Sequence, residues 1–229
     1  GSKPFGPPAY TLGDENFLVR NTLDVCVAPH SLDAFRLDLQ GGYESLEHLN
    51  EVWASDYEDW ERIIPPTFAE VADSPARWPQ WADHRLFMDR ALTESHATGR
   101  DAIREVDPQA RVGFDGVFSL DSWHGYNFYE LCQTCDLMQV YSQRHEQIEY
   151  LRSWQKQGDI TGAWYNSIGN RDEISAKRMA WHLLFHDINS AWYWTSYSTG
   201  PALLYPDLRP TPQFQWMQES IEEVQGGIG

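Results

Sequence analysis

Residues 10–16 read Tyr10-Thr11-Leu12-Gly13-Asp14-Glu15-Asn16. The stretch begins apolar, as a buried strand does, and ends in two adjacent carboxylates before the final Asn. In (β/α) barrels the catalytic side chains project from the C-terminal ends of the strands. The stretch therefore predicts a barrel strand that presents an acidic group, and Glu15 is the first candidate for a catalytic residue.

The rest of the chain alternates between strand and helix patterns. Strands are predicted at 9–15, 111–115, 136–141, 160–166 and 190–195, and helices at 124–133, 144–157, 172–187 and 211–225. Such alternation implies right-handed crossovers and a parallel sheet. We therefore predict an α/β fold with five strand–helix units.

Five units are fewer than the eight that close a barrel. They would form either an open doubly wound sheet or the last five units of a (β/α)8 TIM barrel. The ends of the predicted strands favour the barrel, because they carry polar and aromatic groups: Asp14, Glu15, Asp115, Tyr141, Tyr165, Asn166 and Trp194. No Gly-rich phosphate loop follows any of these strands, which disfavours a nucleotide-binding doubly wound sheet. We expect one partial barrel domain over residues 1–229.

Between the first two strands the pattern predicts three helices. The first covers 32–39 with Ser31 as its N-cap, the second follows Ser45, and the third covers about 80–106. Residues 54–80 are acidic, aromatic and rich in proline, and we expect them to form an irregular excursion. An irregular segment of that length in a compact domain is usually functional.

The composition argues against several classes of function. The 229-residue chain has a formal net charge of -17, which disfavours binding to nucleic acid or to an anionic membrane surface. No apolar run approaches the roughly 18–20 residues that span a bilayer, so we expect a soluble protein, either cytoplasmic or secreted. Aromatic residues make up 14% of the chain, and they would form either a Trp-rich core or a cleft that stacks on sugar rings.

The cysteines and histidines show no ligand pattern. The chain has three cysteines, and an odd number gives no disulfide framework. The single Cys132-x-x-Cys135 motif is more typical of helix packing than of a zinc site. His182 and His186 are four residues apart but lack the glutamate of an H-E-x-x-H motif. The other histidines in this half of the chain, His124 and His145, add no recognisable spacing. We therefore expect no metal and no cofactor.

Two segments resemble the β-galactosidases of glycoside hydrolase family 42 and their relatives among the clan A barrels. Gly13-Asp14-Glu15-Asn16 is similar to the end of that family's fourth strand, and residues 42–53, GYESLEHLNEVW, are similar to a segment that follows it. The predicted strands at 136–141 and 190–195 resemble the family's sixth and eighth. The resemblance covers nearly the whole chain and implies a TIM barrel whose first three strands lie outside it.

The resemblance implies that Glu15 is the general acid/base, and four positions depart from the family. Asp14 stands where the family has Asn, which alters the contact to a sugar hydroxyl. The family's zinc-binding cysteine cluster is reduced to Cys26. The first three strands are missing. The seventh strand should end in a nucleophilic Glu, but here it ends in Tyr165-Asn166 without a carboxylate.

Glycoside hydrolysis usually needs two carboxylates that flank the scissile bond. Glu15 suits the acid, although Asp14 and Glu15 could instead cap a helix or form ion pairs, and we expect only one of the two to face the barrel mouth because neighbouring strand residues point to opposite faces. Asp115 is the best second carboxylate on the same rim, or else a hydrogen-bonding rim residue. Tyr165 is a further candidate nucleophile.

The expected function is hydrolysis of β-linked sugars, as in β-galactosidases. Glu15 and Asp115 are the catalytic candidates, and the candidates for sugar binding are Asp14, Tyr141, Tyr165, Asn166 and Trp194. The alternative is a carbohydrate-binding relative that has lost its nucleophile and does not catalyse. The expected partners are a carbohydrate and either another chain or a further N-terminal segment that completes the barrel, and a homo-oligomer is compatible with the sequence.

Overall fold

Five parallel strands form one sheet in the computed structural model, which describes residues 3–19, 23–24, 26–117, 124–141, 145–164, 172–193 and 203–227. The strands are β1 (Tyr10–Asp14), β2 (Val112–Val117), β3 (Leu137–Val140), β4 (Ile160–Trp164) and β5 (Ser190–Trp192). Each of the five predicted strands is present, and the predicted alternation of strands with helices is confirmed.

The order of the strands in the sheet is their order in the sequence. Each strand pairs in parallel with the next, for example Tyr10 with Val112 and Leu137 with Ile160. A doubly wound sheet reverses its strand order at a switch point, and no reversal occurs among the described strands. The sheet therefore has the topology of consecutive units of a (β/α) barrel.

Eight α-helices accompany the sheet in the described part of the chain. They are α1 (Pro29–Gly42), α2 (Leu46–Trp53), α3 (Phe68–Asp73), α4 (Trp78–Val106), α5 (Phe128–Thr134), α6 (His145–Arg152), α7 (Glu173–Phe185) and α8 (Pro212–Gly227). The predicted cap of α2 is confirmed, because the Ser45 hydroxyl accepts a hydrogen bond from the backbone N–H of His48 at 3.2 Å.

The predicted start of α1 is wrong. Ala28 is the N-cap and Pro29 is the first helical residue, so Ser31 lies inside the helix. Proline fits the first helical position because its φ is preset and its missing N–H would have no partner there. The segment 54–80 is also more regular than expected. It contains α3, which opens with a capping box between Thr67 and Glu70, and the 3-10 turns Trp60–Arg62 and Pro75–Arg77.

The chain divides into two compact units. The first comprises residues 1–16, 96–120 and 128–229 and holds the whole sheet; the second comprises residues 17–95 and 121–127. The core of the second unit joins α1 and α2 through Phe35, Leu39, Leu49, Trp53 and Ile63. That residues 1–229 form one partial barrel domain stays a prediction.

The core of the first unit lies on its central strands. All four residues of β3 are buried, and so are five of the six residues of β2. Burial on both faces is typical of parallel strands covered by helices. Cys132 and Cys135 are buried beside β3, as the packing interpretation predicts, whereas Cys26 in the second unit is exposed. No helix in the described ranges is both long and apolar enough to cross a membrane.

Candidate active site

The acidic motif, Gly13-Asp14-Glu15-Asn16, lies at the C-terminal end of β1. Asp14 is the last residue of the strand, and Glu15 follows it with a φ of 55°, in the left-handed region that non-glycine residues seldom adopt. This turn interrupts the alternation of the strand. The expectation that Asp14 and Glu15 point to opposite faces is therefore wrong, because both carboxylates reach the same side chain.

That side chain is Tyr141, directly after β3. Its hydroxyl donates to Asp14 Oδ1 at 2.8 Å and to Glu15 Oε1 at 2.9 Å. A phenol carries one proton, so it cannot make two full hydrogen bonds to two ionised carboxylates at once. The single hydroxyl proton of Tyr141 is therefore shared between the two carboxylate oxygens, which lie close together on either side of it.

Burial and the two carboxylates act on Tyr141 in the same direction. Burial first, and then the hydrogen bonds to Asp14 and Glu15, raise the pKa of the phenol far above its usual range. The Tyr141 ring also meets the Trp164 ring edge to face, with 5.0 Å between the centroids. Tyr141 therefore acts as a fixed neutral hydrogen-bond donor and not as an anion.

Asp115 lies opposite Asp14 in the register of β1 and β2. The backbone N–H of Glu15 donates to the Asp115 carbonyl at 3.2 Å, which links the two strand ends. Asp115 Oδ1 is buried and has no hydrogen-bond partner among the described residues. Burial, and then the charge of Asp14, raise the pKa of the Asp115 carboxyl. The structure thus brings Asp14, Glu15 and Asp115 to one edge of the sheet, and we call them the acidic cluster.

Gly116 lies against the acidic cluster, a closeness that the sequence did not predict. Its φ is +72°, and a Cβ there would lie 2.1 Å from Asp14 Oδ1 and 2.5 Å from the Glu15 backbone nitrogen. The Gly116 N–H donates to Oε1 of the buried Gln139 at 2.9 Å. A glycine inside a strand often marks a close approach of backbone or ligand, and that signal was present in the sequence directly after Asp115.

Asn16 completes the turn after β1. Its side-chain amide lies 3.1 Å from Nε2 of the buried His96 on α4. The His96 ring packs on the Phe114 ring of β2, with 4.4 Å between the centroids. The last residue of the opening motif thereby contacts a buried side chain of α4, which restrains the turn after β1.

Three of the residues predicted to bind sugar, Tyr165, Asn166 and Trp194, lie outside the described residues. Their described neighbours in the strands are aromatic. Trp164 is half-buried beside Tyr141. The Trp192 ring packs closely on Gly162, since a Cβ added to that glycine would lie 2.6 Å from Trp192 Nε1. That indole N–H is buried and has no acceptor among the described residues.

The cysteines bear on the zinc-binding cysteine cluster of the family, which this sequence reduces to Cys26. Cys26 belongs to one unit, while Cys132 and Cys135 belong to the other and are buried. Burial raises the pKa of both buried thiols to about 12, and thiolate is the form that binds zinc. We therefore assign no step of the chemistry to a cysteine-bound metal.

The acidic cluster has the parts that acid–base chemistry needs. It offers several carboxyl groups whose surroundings differ, one of them with a raised pKa, and a neutral donor fixed between two of them. Neighbouring titratable groups in different environments can divide into a proton donor and a proton acceptor. Groups with perturbed pKa values that gather at the C-terminal edge of barrel strands are typical of catalytic sites.

Comparison with solved structures supports the barrel assignment. The catalytic domain of a β-amylase from Paenibacillus polymyxa has a TM-score of 0.67 at 14% identity, covering 86% of this chain and 55% of that one. An exo-carrageenase of family GH42 from Bacteroides ovatus has a TM-score of 0.59 at 16% identity, covering 78% of this chain and 29% of that one. At these identities the likeness concerns the fold, which is of the TIM-barrel type with five strand–helix units described.

Comparison of sequences gives the family. The β-galactosidase bgaB of Geobacillus kaustophilus is 26% identical over 118 residues, 49% of this chain and 17% of that relative. BgaB of Geobacillus sp. (strain Y412MC61) is 25% identical over the same length. The chain thus matches only about a sixth of the length of these relatives. The sequence profile of the glycoside hydrolase family 42 β-galactosidases matches residues 13–198, which is most of the chain. The chain therefore belongs to glycoside hydrolase family 42.

Proposed function

We propose that the protein hydrolyses β-linked glycosides, β-galactosides among them, with Glu15 as the general acid. The observation that carries this proposal is the contact of one hydroxyl, that of Tyr141, with both Asp14 and Glu15, beside Asp115 on the neighbouring strand. Membership of the family supports it, because the matched region begins at Gly13 and so includes the whole acidic motif.

Glu15 donates its proton to the glycosidic oxygen as the bond to the sugar breaks. The departing alkoxide would otherwise be a poor leaving group, and a positioned general acid contributes roughly 10²–10⁴-fold to such a step. Tyr141 and the left-handed turn hold the carboxyl in place. Asp14, which precedes Glu15 in the sequence, accepts a hydrogen bond from a hydroxyl of the same sugar.

Asp115 is the proposed base. It removes a proton from a water molecule while that water attacks the anomeric carbon from the side opposite the leaving group, as in inverting enzymes. Its raised pKa suits this role, because a base accepts a proton best when its pKa approaches the working pH. Tyr141, Tyr165, Asn166 and Trp194 complete the proposed sugar site as hydrogen-bonding and stacking groups.

The test is turnover of a panel of aryl β-glycosides, with the β-galactoside first. We expect Glu15→Gln to lower kcat by roughly 10²–10⁴-fold while leaving KM nearly unchanged, since the proton is needed in the transition state. Glu105→Gln, which alters an exposed glutamate of α4, is the matched control and should have no effect. Equal activity of the Glu15 variant and the control would contradict the proposal.

A second candidate function is carbohydrate binding without catalysis. One observation favours it: the segment after β4 reads Tyr165-Asn166, where the family places its nucleophilic glutamate. A binding relative would show no turnover in any variant, yet β-linked oligosaccharides would still shift its tryptophan fluorescence. The same panel, read by both signals, separates the two functions.

We further propose that three more strand–helix units close the barrel, supplied by another chain or by a further segment of the protein. Among the described strands β1 pairs only with β2 and β5 only with β4, so both edges of the sheet are open. An apolar groove of about 360 Å³ lies beside β5, lined by α7 and α8 residues such as Leu183, Ile221 and Val224. A monomeric light-scattering mass together with a cooperative melt for the 229-residue chain alone would contradict this proposal.

A further inference from the structure

Two pairs of polar side chains lie four residues apart on neighbouring helices of the first unit. His145 and Glu149 form such a pair on α6, and His182 and His186 form one at the end of α7. Side chains four residues apart project from the same face of a helix. Each pair can therefore direct two donor groups to one point.

The two pairs meet. One ring nitrogen of His145, one of His186 and one carboxylate oxygen of Glu149 lie within 4.8 Å of one another. His186 Nδ1 is 2.7 Å from Glu149 Oε1, and the His145 and His186 rings have 4.7 Å between their centroids. His182 stands next to this group, with its ring centroid 4.6 Å from that of His186.

This spacing is close to what a single ion requires. Zinc binds imidazole nitrogen and carboxylate oxygen at roughly 2.0–2.2 Å, so two donors on one ion are at most about 4.4 Å apart. Rotations of exposed or half-exposed side chains are enough to bring the three donors to that separation. Two imidazoles and one carboxylate suit zinc, copper and nickel, whereas magnesium and calcium prefer oxygen donors.

Arg152 orients the carboxylate. Its Nη2 and Nε lie 3.1 Å and 3.3 Å from Glu149 Oε2, so the other oxygen, Oε1, is the one directed at the histidines. Partners of this kind fix the ligands of metal sites from outside. The side chains of His186 and Glu149 are 21% and 32% exposed, and His145 is exposed, so an ion in solution can reach all three.

We propose that His145, Glu149 and His186 bind a divalent transition-metal ion, with Zn²⁺ as the reference, and that the ion links α6 to α7. Three protein ligands leave at least one coordination position for water. The site replaces our expectation of a protein without metal. Sequence spacing could not reveal it, because Glu149 and His186 are 37 residues apart. The proposal does not depend on glycoside hydrolysis.

The test uses the full chain, freed of metal by a chelator, with Cys26→Ser in the background to remove the exposed thiol as a ligand. Zinc titration by calorimetry should give one ion per chain, and His145→Ala and His186→Ala should each weaken binding at least tenfold. Glu149→Gln should also weaken it. His30→Ala, which removes an exposed histidine of α1, is the matched control and should bind as the parent does.

A second measurement identifies the ligands. Cobalt bound in place of zinc should give visible bands typical of nitrogen and oxygen ligands, and these bands should be lost in His145→Ala. His145 is exposed, so this variant is not expected to disturb folding. Zinc should also raise the melting temperature of the His30 variant but not that of the His145 variant. Equal zinc affinity in all variants, or no stoichiometric binding in the parent, would overturn the proposal.

Discussion

Gly116 is the residue on which the shape of the acidic cluster depends most directly. A methyl group there would collide with Asp14 Oδ1 and with the Glu15 backbone, and it would also have to adopt a φ of +72°. We expect Gly116→Ala to lower the free energy of unfolding by roughly 2–4 kcal/mol, the sum of backbone strain and overpacking, and to abolish sugar binding. Chemical denaturation and fluorescence titration measure the two effects.

Gly158 is a control for the strain alone, because its φ is +93° and nothing lies within 4 Å of a Cβ placed there. Gly158→Ala should lower the free energy of unfolding by only about 1 kcal/mol, the strain of a left-handed residue. It should bind sugar as the parent does. Equal losses in the two variants would mean that the close approach at Gly116 has no effect.

Asp115 should make stability depend on pH. Burial and the charge of Asp14 raise its pKa in the folded chain above the unfolded value of about 3.9, so the folded chain binds this proton more tightly. The ionised form therefore lowers stability at pH values above the raised pKa, and this effect disappears below the unfolded pKa. Asp115→Asn should accordingly melt at a higher temperature than the parent at pH 7, and at the same temperature near pH 3.

Asp101 is the opposite case, because a hydrogen bond from Arg100 lowers its pKa. Its ionised form contributes stability above the unfolded pKa, and this contribution is lost as the pH falls. Asp101→Asn should therefore melt lower than the parent at pH 7. A shift of the same sign in both variants would contradict the assignment of a raised pKa to Asp115.

Residue types in sequence predicted part of this site. Asp14, Glu15, Asp115 and Tyr141 follow strands, and parallel strands bring such positions together at one edge. The contacts between them could not be predicted, because they depend on a left-handed residue at Glu15. Alternation rules assume extended backbone, so they separated two carboxylates that in fact reach one hydroxyl.

At the scale of elements, the starts of α1 and α2 differ in how they are capped. Ser45 caps α2, whereas Ser31, the cap predicted for α1, lies inside that helix. We expect Ser45→Ala to lower the free energy of unfolding by about 1 kcal/mol, the usual value of such a cap. Ser31→Ala should lower the free energy of unfolding by less. The Ser31 hydroxyl makes only a 3.3 Å contact to the Cys26 carbonyl and a 3.7 Å contact to Met88 Sδ.

Thermal unfolding of the two serine variants checks this prediction. A larger loss for Ser31→Ala than for Ser45→Ala would contradict the boundaries of α1 and α2. The comparison is well matched, since both serines are in the second unit and both changes remove a single hydroxyl.

Strands and long helices were predicted from the sequence to within a few residues, because hydrophobic period and turn residues act locally. The shortest helix, α3, was not. The six residues of α3 are too few to show a period, although Thr67 and Glu70 carry the T-x-x-E signature of a capping box. The start of α1 was misplaced because Ser31 is a typical N-cap residue, whereas the helix in fact begins at Pro29.

At the scale of the whole molecule, the main property to test is cooperativity. The chain forms two compact units, yet α4 begins in one and ends in the other. Local loss of this helix would disturb both units, so we expect the soluble assembly to unfold in one transition. Coincident curves from far-ultraviolet circular dichroism and tryptophan fluorescence would agree with that expectation, and two separated transitions would show that the units are independent domains.

The sheet topology was predictable at this scale because parallel neighbours need long crossovers, which leave a strand–helix rhythm in the sequence. The grouping of residues 17–95 into a unit of their own was not predictable. It arises from side chains such as Trp53, whose indole N–H donates to Asp83 at 2.9 Å across 30 residues of sequence.

The unequal environments of the three cysteines have a practical consequence. Cys132 and Cys135 are buried with raised thiol pKa values, while Cys26 is exposed. A maleimide reacts with accessible thiolate, so under native conditions it would modify the chain at one position. Cys26 is thus a natural point of attachment for a dye or a chip surface, and the unaltered chain could be immobilised in a single orientation to screen glycan arrays.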